Sequence, residues 1–299
     1  MIPQIKELFD IADVEYKGNI RLSDISYAGI GGIGELGAYP KNEAALSELV
    51  RRLEMRGICY RVVGGLSNLL IPDEGYGGVM IFTDRLTRAE LADGKIILGA
   101  GVRLSAIYKE MLSSGVATFD ELYGIPGRVG GLVCSNAGAN GREISDILIS
   151  AEAYDAREDM RLTLDPSRLA LGYRDSLMKR DRRLICLSAA FKVIRSTPDG
   201  IRARVEGFKE RRRRTQPVEL RSLGSVFKRP EGHFAGELIE RSGLKGKRVG
   251  GAMISDKHAG FIVNLGGATA RDYLSLVELC EREVYLQFGI RLEREIEIL

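Results

Sequence analysis

Apolar residues fall on a helical period over Asn42–Gly57. Leu46, Leu49, Val50 and Leu53 stand at i, i+3, i+4 and i+7, a single stripe. Asn42 is suited to cap the start and Gly57 to stop the end. A helix is predicted there, then a short strand over Cys59–Val63 that runs straight into Gly64 and Gly65. Val79–Phe82 and Lys95–Leu98 read as strands. Leu104–Ser114 reads as a helix with Ile107, Met111 and Leu112 on one side. Ile147–Tyr154 and Met160–Leu164 read as a hairpin, and Leu184–Val193 as a further strand. The stretch Gly124–Gly141 carries too many glycines for regular structure. Thr197-Pro198-Asp199-Gly200 is a turn signal and a candidate domain boundary, followed by a strand over Ile201–Val205 and a helix over Phe208–Arg214 that ends before Pro217. In the last third, Phe234–Ser242 and Thr269–Phe288 read as helices and Phe261–Asn264 as a strand. Thr269 caps the longer helix, Gly289 stops it, and Tyr273, Leu276, Val277, Cys280 and Val284 form its stripe. The chain closes on a strand-like segment, Leu292–Leu299, and shows no internal repeat.

Helices and strands in this order give an α+β chain, and 299 residues are enough for two or three domains. The 44 basic and 41 acidic side chains leave a net charge of +3, too small an excess to point to a nucleic acid or a membrane. No apolar run approaches the roughly 20 residues that span a bilayer. The segment 1–20 lacks the basic start and unbroken apolar stretch of a secretory leader, so the expected compartment is the cytoplasm. Cys59, Cys134, Cys186 and Cys280 are scattered, and only His233 and His258 accompany them, so no metal site is expected. Glycine is the unusual count. There are 36, well above the roughly 7% of an average chain, and they cluster rather than spread. Such clusters suit tight turns wrapped around a ligand.

Two clusters carry chemistry. Val62-Val63-Gly64-Gly65-Leu66-Ser67-Asn68 is a strand ending in small residues, where successive backbone N–H groups make a nest for an anion such as a pyrophosphate. It is neither a dinucleotide-fold fingerprint nor a lysine-bearing phosphate loop; an ordinary tight turn is the competing reading. Tyr123-Gly124-Ile125-Pro126-Gly127-Arg128-Val129-Gly130-Gly131, followed by Asn136-Ala137-Gly138-Ala139, would let main chain lie flat against a planar ligand. A loop of that length in a compact domain is usually functional.

These motifs resemble the FAD-binding region of the UDP-N-acetylenolpyruvoylglucosamine reductase family, within the wider group of vanillyl-alcohol-oxidase-like flavoproteins. Further motifs match in the same order. They are Tyr173-Arg174-Asp175-Ser176, then Gly224-Ser225-Val226-Phe227-Lys228-Arg229-Pro230, then Lys257-His258-Ala259-Gly260-Phe261, then Leu292-Glu293-Arg294-Glu295. The resemblance runs from about Ser26 to the end of the chain. It implies a two-subdomain FAD-binding module of the PCMH type over 1–84 and 85–198, followed by an α+β substrate-binding domain over 199–299. The short span between Tyr173 and Ala190 matches the family's compact form.

By the same resemblance, FAD is held by Gly64, Gly65, Leu66, Ser67, Asn68, Gly124, Ile125, Pro126, Gly127, Val129, Gly130, Gly131, Asn136, Ala137 and Gly138; neither histidine lies in these motifs, so a non-covalent complex is expected. NADPH is the implied reductant and an enolpyruvyl UDP-sugar the substrate. Arg174 and Glu295 are implied at the substrate carboxylate, and Ser225 as the proton donor. Lys228, Arg229, Lys257 and His258 are implied as substrate-binding residues. Arginine can grip a carboxylate with two parallel bonds, and a buried protonated carboxyl can donate to an enolate. Read singly, Arg174 could pair with Asp175, Ser225 could cap a turn, and Glu295 could lie on a solvated face. Serine is a weak acid, so Ser225 calls for a nearby cation, with Lys228 the candidate. The run Lys209–Arg214 reads as a solvated helix face, some of whose arginines could reach a diphosphate; the expected molecule is a monomer.

The chain departs from the family pattern at five places, one of them Arg221-Ser222-Leu223-Gly224 where Pro-Ser-Ala-Gly is usual. Leu66 stands where a third glycine is usual, Gly29 where an arginine is, Arg128 where a small hydroxyl residue is, and Thr215 where a lysine is. The departures leave two rival readings: a non-catalytic relative without tight FAD, and a flavin oxidoreductase for another substrate.

Overall fold

The computed structural model describes residues 10–299; residues 1–9 of the segment read for a leader lie outside the described residues. The chain forms two compact units. Among the described residues one comprises 10–18, 36–65 and 78–209, and the other comprises 19–35, 66–77 and 210–299.

The first unit is built on two sheets. A four-stranded sheet runs in the order Val14–Arg21, Ile33–Pro40, Tyr76–Phe82, Tyr60–Val63, and its last pair is parallel. The connection between those parallel strands carries the Gly64–Asn68 turn. A five-stranded antiparallel sheet runs Met160–Leu164, Leu148–Asp155, Leu184–Lys192, Lys95–Gly99, Ala89–Ala92. The helix Glu43–Met55 forms as its pattern dictates, with the Ala45 N–H donating to the Asn42 side chain at 2.8 Å. Its stripe of Leu46, Leu49, Val50 and Leu53 is buried in one core with Ile81, Leu98 and Phe191.

The second unit holds a four-stranded antiparallel sheet, Arg221–Ser225, Phe261–Asn264, Ala252–Ile254, Arg248–Val249. The helix Ala270–Phe288 packs on it with its predicted stripe, together with Leu238, Ile239, Ile254 and Ile262. Thr269 caps this helix in a reciprocal box with Asp272, and Gly289 ends it at φ 68°. Asp73 adds its carboxylate to the same terminus, accepting from the Ala270 and Arg271 N–H groups at 2.7 and 3.2 Å. The stacked caps satisfy donors that a helix start otherwise leaves unpaired.

Three local expectations are overturned. Pro198–Thr215 is one helix, so neither a turn over Thr197–Gly200 nor a strand over Ile201–Val205 exists. Proline is tolerated in the first helical turn, where its missing N–H has no partner to lose, and Thr197 Oγ1 accepts from the Gly200 N–H at 3.2 Å. Ile201 and Val205, four apart, are both buried beside Tyr108, Leu112 and Tyr123. Within Gly124–Gly141 a short helix, Val129–Cys134, interrupts the loop. Leu292–Leu299 contributes only the two-residue strand Glu297–Ile298 and a bridge between Arg294 and Phe227.

Candidate active site

In the first unit the two glycine loops meet main chain to main chain. A Cβ added at Gly65 would lie 3.3 Å from the Gly127 Cα, and one at Gly64 would lie 3.5 Å from the Arg128 Cβ. Gly130 packs on Ala100 so closely that a Cβ would come within 3.0 Å, and its N–H donates to the Ala100 carbonyl at 2.9 Å. Gly131, beside it, is exposed and would meet nothing within 4 Å. Gly127 (φ 127°) and Gly124 (φ 87°) take conformations that L side chains resist.

Arg128 neither clashes with these loops nor offers them a free charge. Its guanidinium is buried, 2.8 Å from the Asp84 carboxylate, and donates to the Gly101 carbonyl at 2.7 Å. It ties the glycine loop to the turn after Phe82. Asn136 is likewise spent on the fold. Its Nδ2 donates to Glu143 at 3.0 Å and to the Gly172 carbonyl at 2.9 Å, and its Oδ1 accepts from the Ser145 N–H at 2.9 Å.

Arg174 sits on a tight turn in the same unit. Gly172 and Asp175 exchange both backbone hydrogen bonds, at 3.0 and 3.2 Å, with Tyr173 and Arg174 between them. Arg174 takes φ 55°, and the Lys179 ammonium donates to its carbonyl at 2.9 Å. Its guanidinium donates to the Gly138 carbonyl at 3.0 Å, lies 3.6 Å from Glu143, and stacks over Tyr173. Asp175, the partner considered from sequence, pairs with Arg180 instead. Below the turn Ser176 is fully buried, donating to the Cys134 carbonyl at 2.6 Å and capping Leu177–Arg180.

The second unit gathers the remaining residues. Leu66 adopts φ 50° without being glycine, and its side chain is 5% exposed, so it fills core rather than the mouth of the turn. Its carbonyl accepts from the Tyr27 N–H at 3.2 Å. Asn68 Nδ2 donates to the Glu295 carbonyl at 3.0 Å. Ser225 is exposed at the end of its strand, after Gly224 at φ 81°. Glu295 is half-buried and its N–H donates to the Val226 carbonyl at 2.8 Å.

Lys228 forms an ion pair with Glu293, so its charge is already matched by a carboxylate. With Arg229, His233 and Arg291 the pair lines a cavity of about 390 Å³. Arg229 stacks over Phe234 at 4.5 Å, and Lys257 lies 3.5 Å from Glu219. His258 plays a framework part: its Nδ1 accepts from the Gly260 N–H at 3.0 Å, and its ring packs against Gly236 and Phe261. Burial, more than nearby Lys245, holds its pKa below the ordinary value.

Two departures from the family pattern acquire a physical account. Above Gly29, which takes φ 65°, lies the side chain of Arg221; a Cβ there would fall 2.7 Å from its Nη1 and 2.8 Å from its Cδ. A guanidinium therefore covers position 29, although it is borne by the strand Arg221–Ser225 and not by the bend that holds Gly29. Thr215 is exposed and returns its hydroxyl to the Arg211 carbonyl at 2.8 Å. One turn back, half-buried Arg212 donates to Gln216 at 3.1 Å, while Arg211, Arg213 and Arg214 are exposed, as the solvated-face reading expects. What sequence reasoning missed are the acidic partners Asp84, Glu143 and Glu293. Each stands far along the chain from the cation it serves, and even the motif that contains Glu293 does not reveal that it pairs with Lys228.

The residues present fit FAD. Side chains are excluded where Gly65 meets Gly127, the bulk of Leu66 is buried, and the exposed face at Gly131 is open. Residues 35–163 match the FAD binding domain family, and residues 216–299 match the UDP-N-acetylenolpyruvoylglucosamine reductase C-terminal domain family. A UDP-N-acetylenolpyruvoylglucosamine reductase of Lactococcus lactis is 38% identical over 293 residues, covering 98% of this chain and 97% of that protein. One of Caldicellulosiruptor saccharolyticus is 38% identical over 290 residues, covering 96% and 93%. The crystal structure of the Thermus caldophilus reductase superposes with a TM-score of 0.80 at 33% identity, covering 95% of this chain and 98% of that one. With near-complete coverage in both directions and both halves matched, the chain belongs to the UDP-N-acetylenolpyruvoylglucosamine reductase family.

Proposed function

We propose that the chain reduces UDP-N-acetylglucosamine enolpyruvate to UDP-N-acetylmuramate with NADPH, in the synthesis of peptidoglycan precursors. The observation that carries this reading is the match to reductases of that name over nearly the whole of both chains; Arg174, Ser225 and Glu295 stand where the motif resemblance assigns the catalytic positions. Bound non-covalently, FAD supplies the hydride relay between NADPH and the enolpyruvyl alkene. The Gly64–Asn68 and Gly124–Gly131 loops hold the cofactor, and the motif segments 1–84, 85–198 and 199–299 divide the work into two cofactor-binding parts and one substrate-binding part.

The residues act on the charge that builds as the alkene is reduced. Hydride addition leaves an enolate-like carboxylate, and donors fixed in advance stabilise it without reorganising. Arg174 is such a donor. Its turn, its contact with the Gly138 carbonyl and its stacking on Tyr173 fix the guanidinium before substrate arrives. Glu295 acts at the same carboxylate, and Ser225 Oγ delivers the proton to the neighbouring carbon. Lys228, Arg229, Lys257 and His258 belong to the substrate-binding surface in this reading. For Lys228, recognition of a phosphate means exchanging Glu293, whose side chain is 72% exposed, for the ligand.

The reaction belongs in the cytoplasm, where NADPH and nucleotide sugars are available, and the molecule acts as a monomer without nucleic-acid partners. No helix among the described residues is long and apolar enough to cross a membrane. The test is an anaerobic absorbance series: FAD, then NADPH, then the enolpyruvyl sugar. Bound flavin that bleaches with NADPH and recovers with the sugar is the expected result. No flavin retained at saturating FAD would overturn the assignment.

A further inference from the structure

The residues after the Leu66 turn are placed at the cofactor by resemblance, yet the side chain of one of them is bonded elsewhere. Asn68 Nδ2 donates to the carbonyl of Glu295 at 3.0 Å, across 227 positions of chain. The Asn68 carbonyl in turn accepts from the Glu297 N–H at 2.9 Å. Leu69 and Leu70 then pair in parallel with Glu297 and Ile298, and the Leu299 N–H donates to the Leu70 carbonyl at 3.0 Å. On its other side, Glu295 donates its N–H to the carbonyl of Val226, the residue after Ser225. Both backbone polar groups of Glu295 are therefore fixed, one by the neighbour of the proton donor and the other by the Asn68 amide.

We propose that Asn68 is a positioning residue for Glu295, setting where that carboxyl stands rather than holding the cofactor with its side chain. The inference rests on Glu295 acting at the substrate carboxylate. An amide Nδ2 has two protons in one plane; directing one at a peptide carbonyl fixes both the Asn68 rotamer and the peptide it meets. The Glu295 side chain leaves the backbone next to that carbonyl, so loosening the bond displaces the carboxyl. A misplacement of about 1 Å near a reacting centre costs about 100-fold in rate. The same bond makes the Ser67–Asn68 turn and the end of the reductase motif one mechanical piece, although they lie at opposite ends of the sequence.

The test uses the FAD-loaded enzyme and two variants, Asn68→Ala and the near-isosteric Asn68→Asp, which lacks the donor. FAD affinity, reduction by NADPH and reoxidation by the enolpyruvyl sugar are measured separately, and hydrogen exchange at the Glu295 and Glu297 amides is followed without FAD. The expected result is FAD affinity and NADPH reduction within about twofold of wild type, reoxidation at saturating sugar slowed about 10- to 100-fold, and faster exchange at both amides. In a Glu295→Gln background, Asn68→Asp should add less than about twofold, because the two residues act through one group. Equal loss in both half-reactions, or weakened FAD with unchanged reoxidation, would overturn the inference and return Asn68 to the cofactor. Lower thermal stability with normal reoxidation would overturn it too, leaving only an anchor for the C-terminal segment. If Asn68→Ala does not fold, Asn68→Asp decides. A wild-type enzyme that cannot use the sugar, or Glu295→Gln as fast as wild type, would instead overturn the assignment of Glu295 on which the inference stands.

Discussion

At the residue scale, the departures from the family pattern look like losses until their spatial partners are known. Gly29 is the clearest case. A missing arginine is legible in the sequence; that Arg221 lies over the vacated position is not, because the two are joined only through the sheet and the turn that bring them together. The substitution Gly29→Ala should destabilise by about 1–2 kcal/mol from the positive φ alone, and further from contact with Arg221. In Arg221→Ala the contact part should vanish and the backbone part remain, so a double-mutant cycle of melting temperatures separates them. Ser225 belongs to the same scale and tests the chemistry. Ser225→Ala should leave flavin reduction by NADPH nearly intact and slow sugar-dependent reoxidation by about 100-fold or more, the usual contribution of a positioned proton donor. Stopped-flow absorbance of the two half-reactions reads this directly, and equal slowing of both would remove Ser225 from the role.

At the scale of elements, legibility followed periodicity. Glu43–Met55 and Ala270–Phe288 were readable because many apolar positions agree on one period and both termini carry capping residues. Ile201–Val205 misled because five residues with apolar ends fit a strand of period two and a helix contact at i, i+4 equally well. Burial against Tyr108 and Tyr123 decides for the helix, and that contact is long-range. Ile201→Ala should therefore cost about 2–5 kcal/mol as a core truncation, measured by chemical denaturation; a loss under about 0.5 kcal/mol, typical of a surface change, would contradict the packing. The glycine loop carries a second test. Arg128 fastens it to Asp84 and Gly101, so Arg128→Met should lower stability by about 1–3 kcal/mol as buried hydrogen bonds are lost. FAD affinity should fall with it, since the loop loses its tether. If the arginine served the cofactor directly by charge, affinity would fall with stability unchanged.

At the scale of the whole molecule, family membership was legible because the motifs stand in register along nearly the entire chain. The strand order of the antiparallel sheet, with Lys95–Gly99 beside Leu184–Lys192, was not, since no local pattern encodes which distant strands pair. The same long-range assembly creates a pH response that composition hides. His258 is packed against Gly236 and Gly260, with Lys245 and Glu240 the charged groups bearing on it. Its Nδ1 accepts a hydrogen bond, which requires the neutral ring. Burial is the main cause that lowers its folded pKa, so the folded state favours the unprotonated form. That contribution is complete above the unfolded value of about 6.5 and is lost as pH falls toward and through the folded pKa. The carboxylates held low by hydrogen bonds, Glu48 at about 2 by Arg51 and Asp272 by the Thr269 backbone, act at lower pH, losing their contribution only as they protonate below about 4. Asp120 has the opposite sign, because burial raises its folded pKa and its contribution declines as pH rises. The difference between two proteins isolates the histidine from these groups. Melting temperatures taken from pH 8 to pH 5 should fall more steeply for wild type than for His258→Gln, whose side-chain oxygen can still accept from Gly260. Parallel curves would mean that the imidazole is not held neutral, and that the second unit's core does not depend on its protonation.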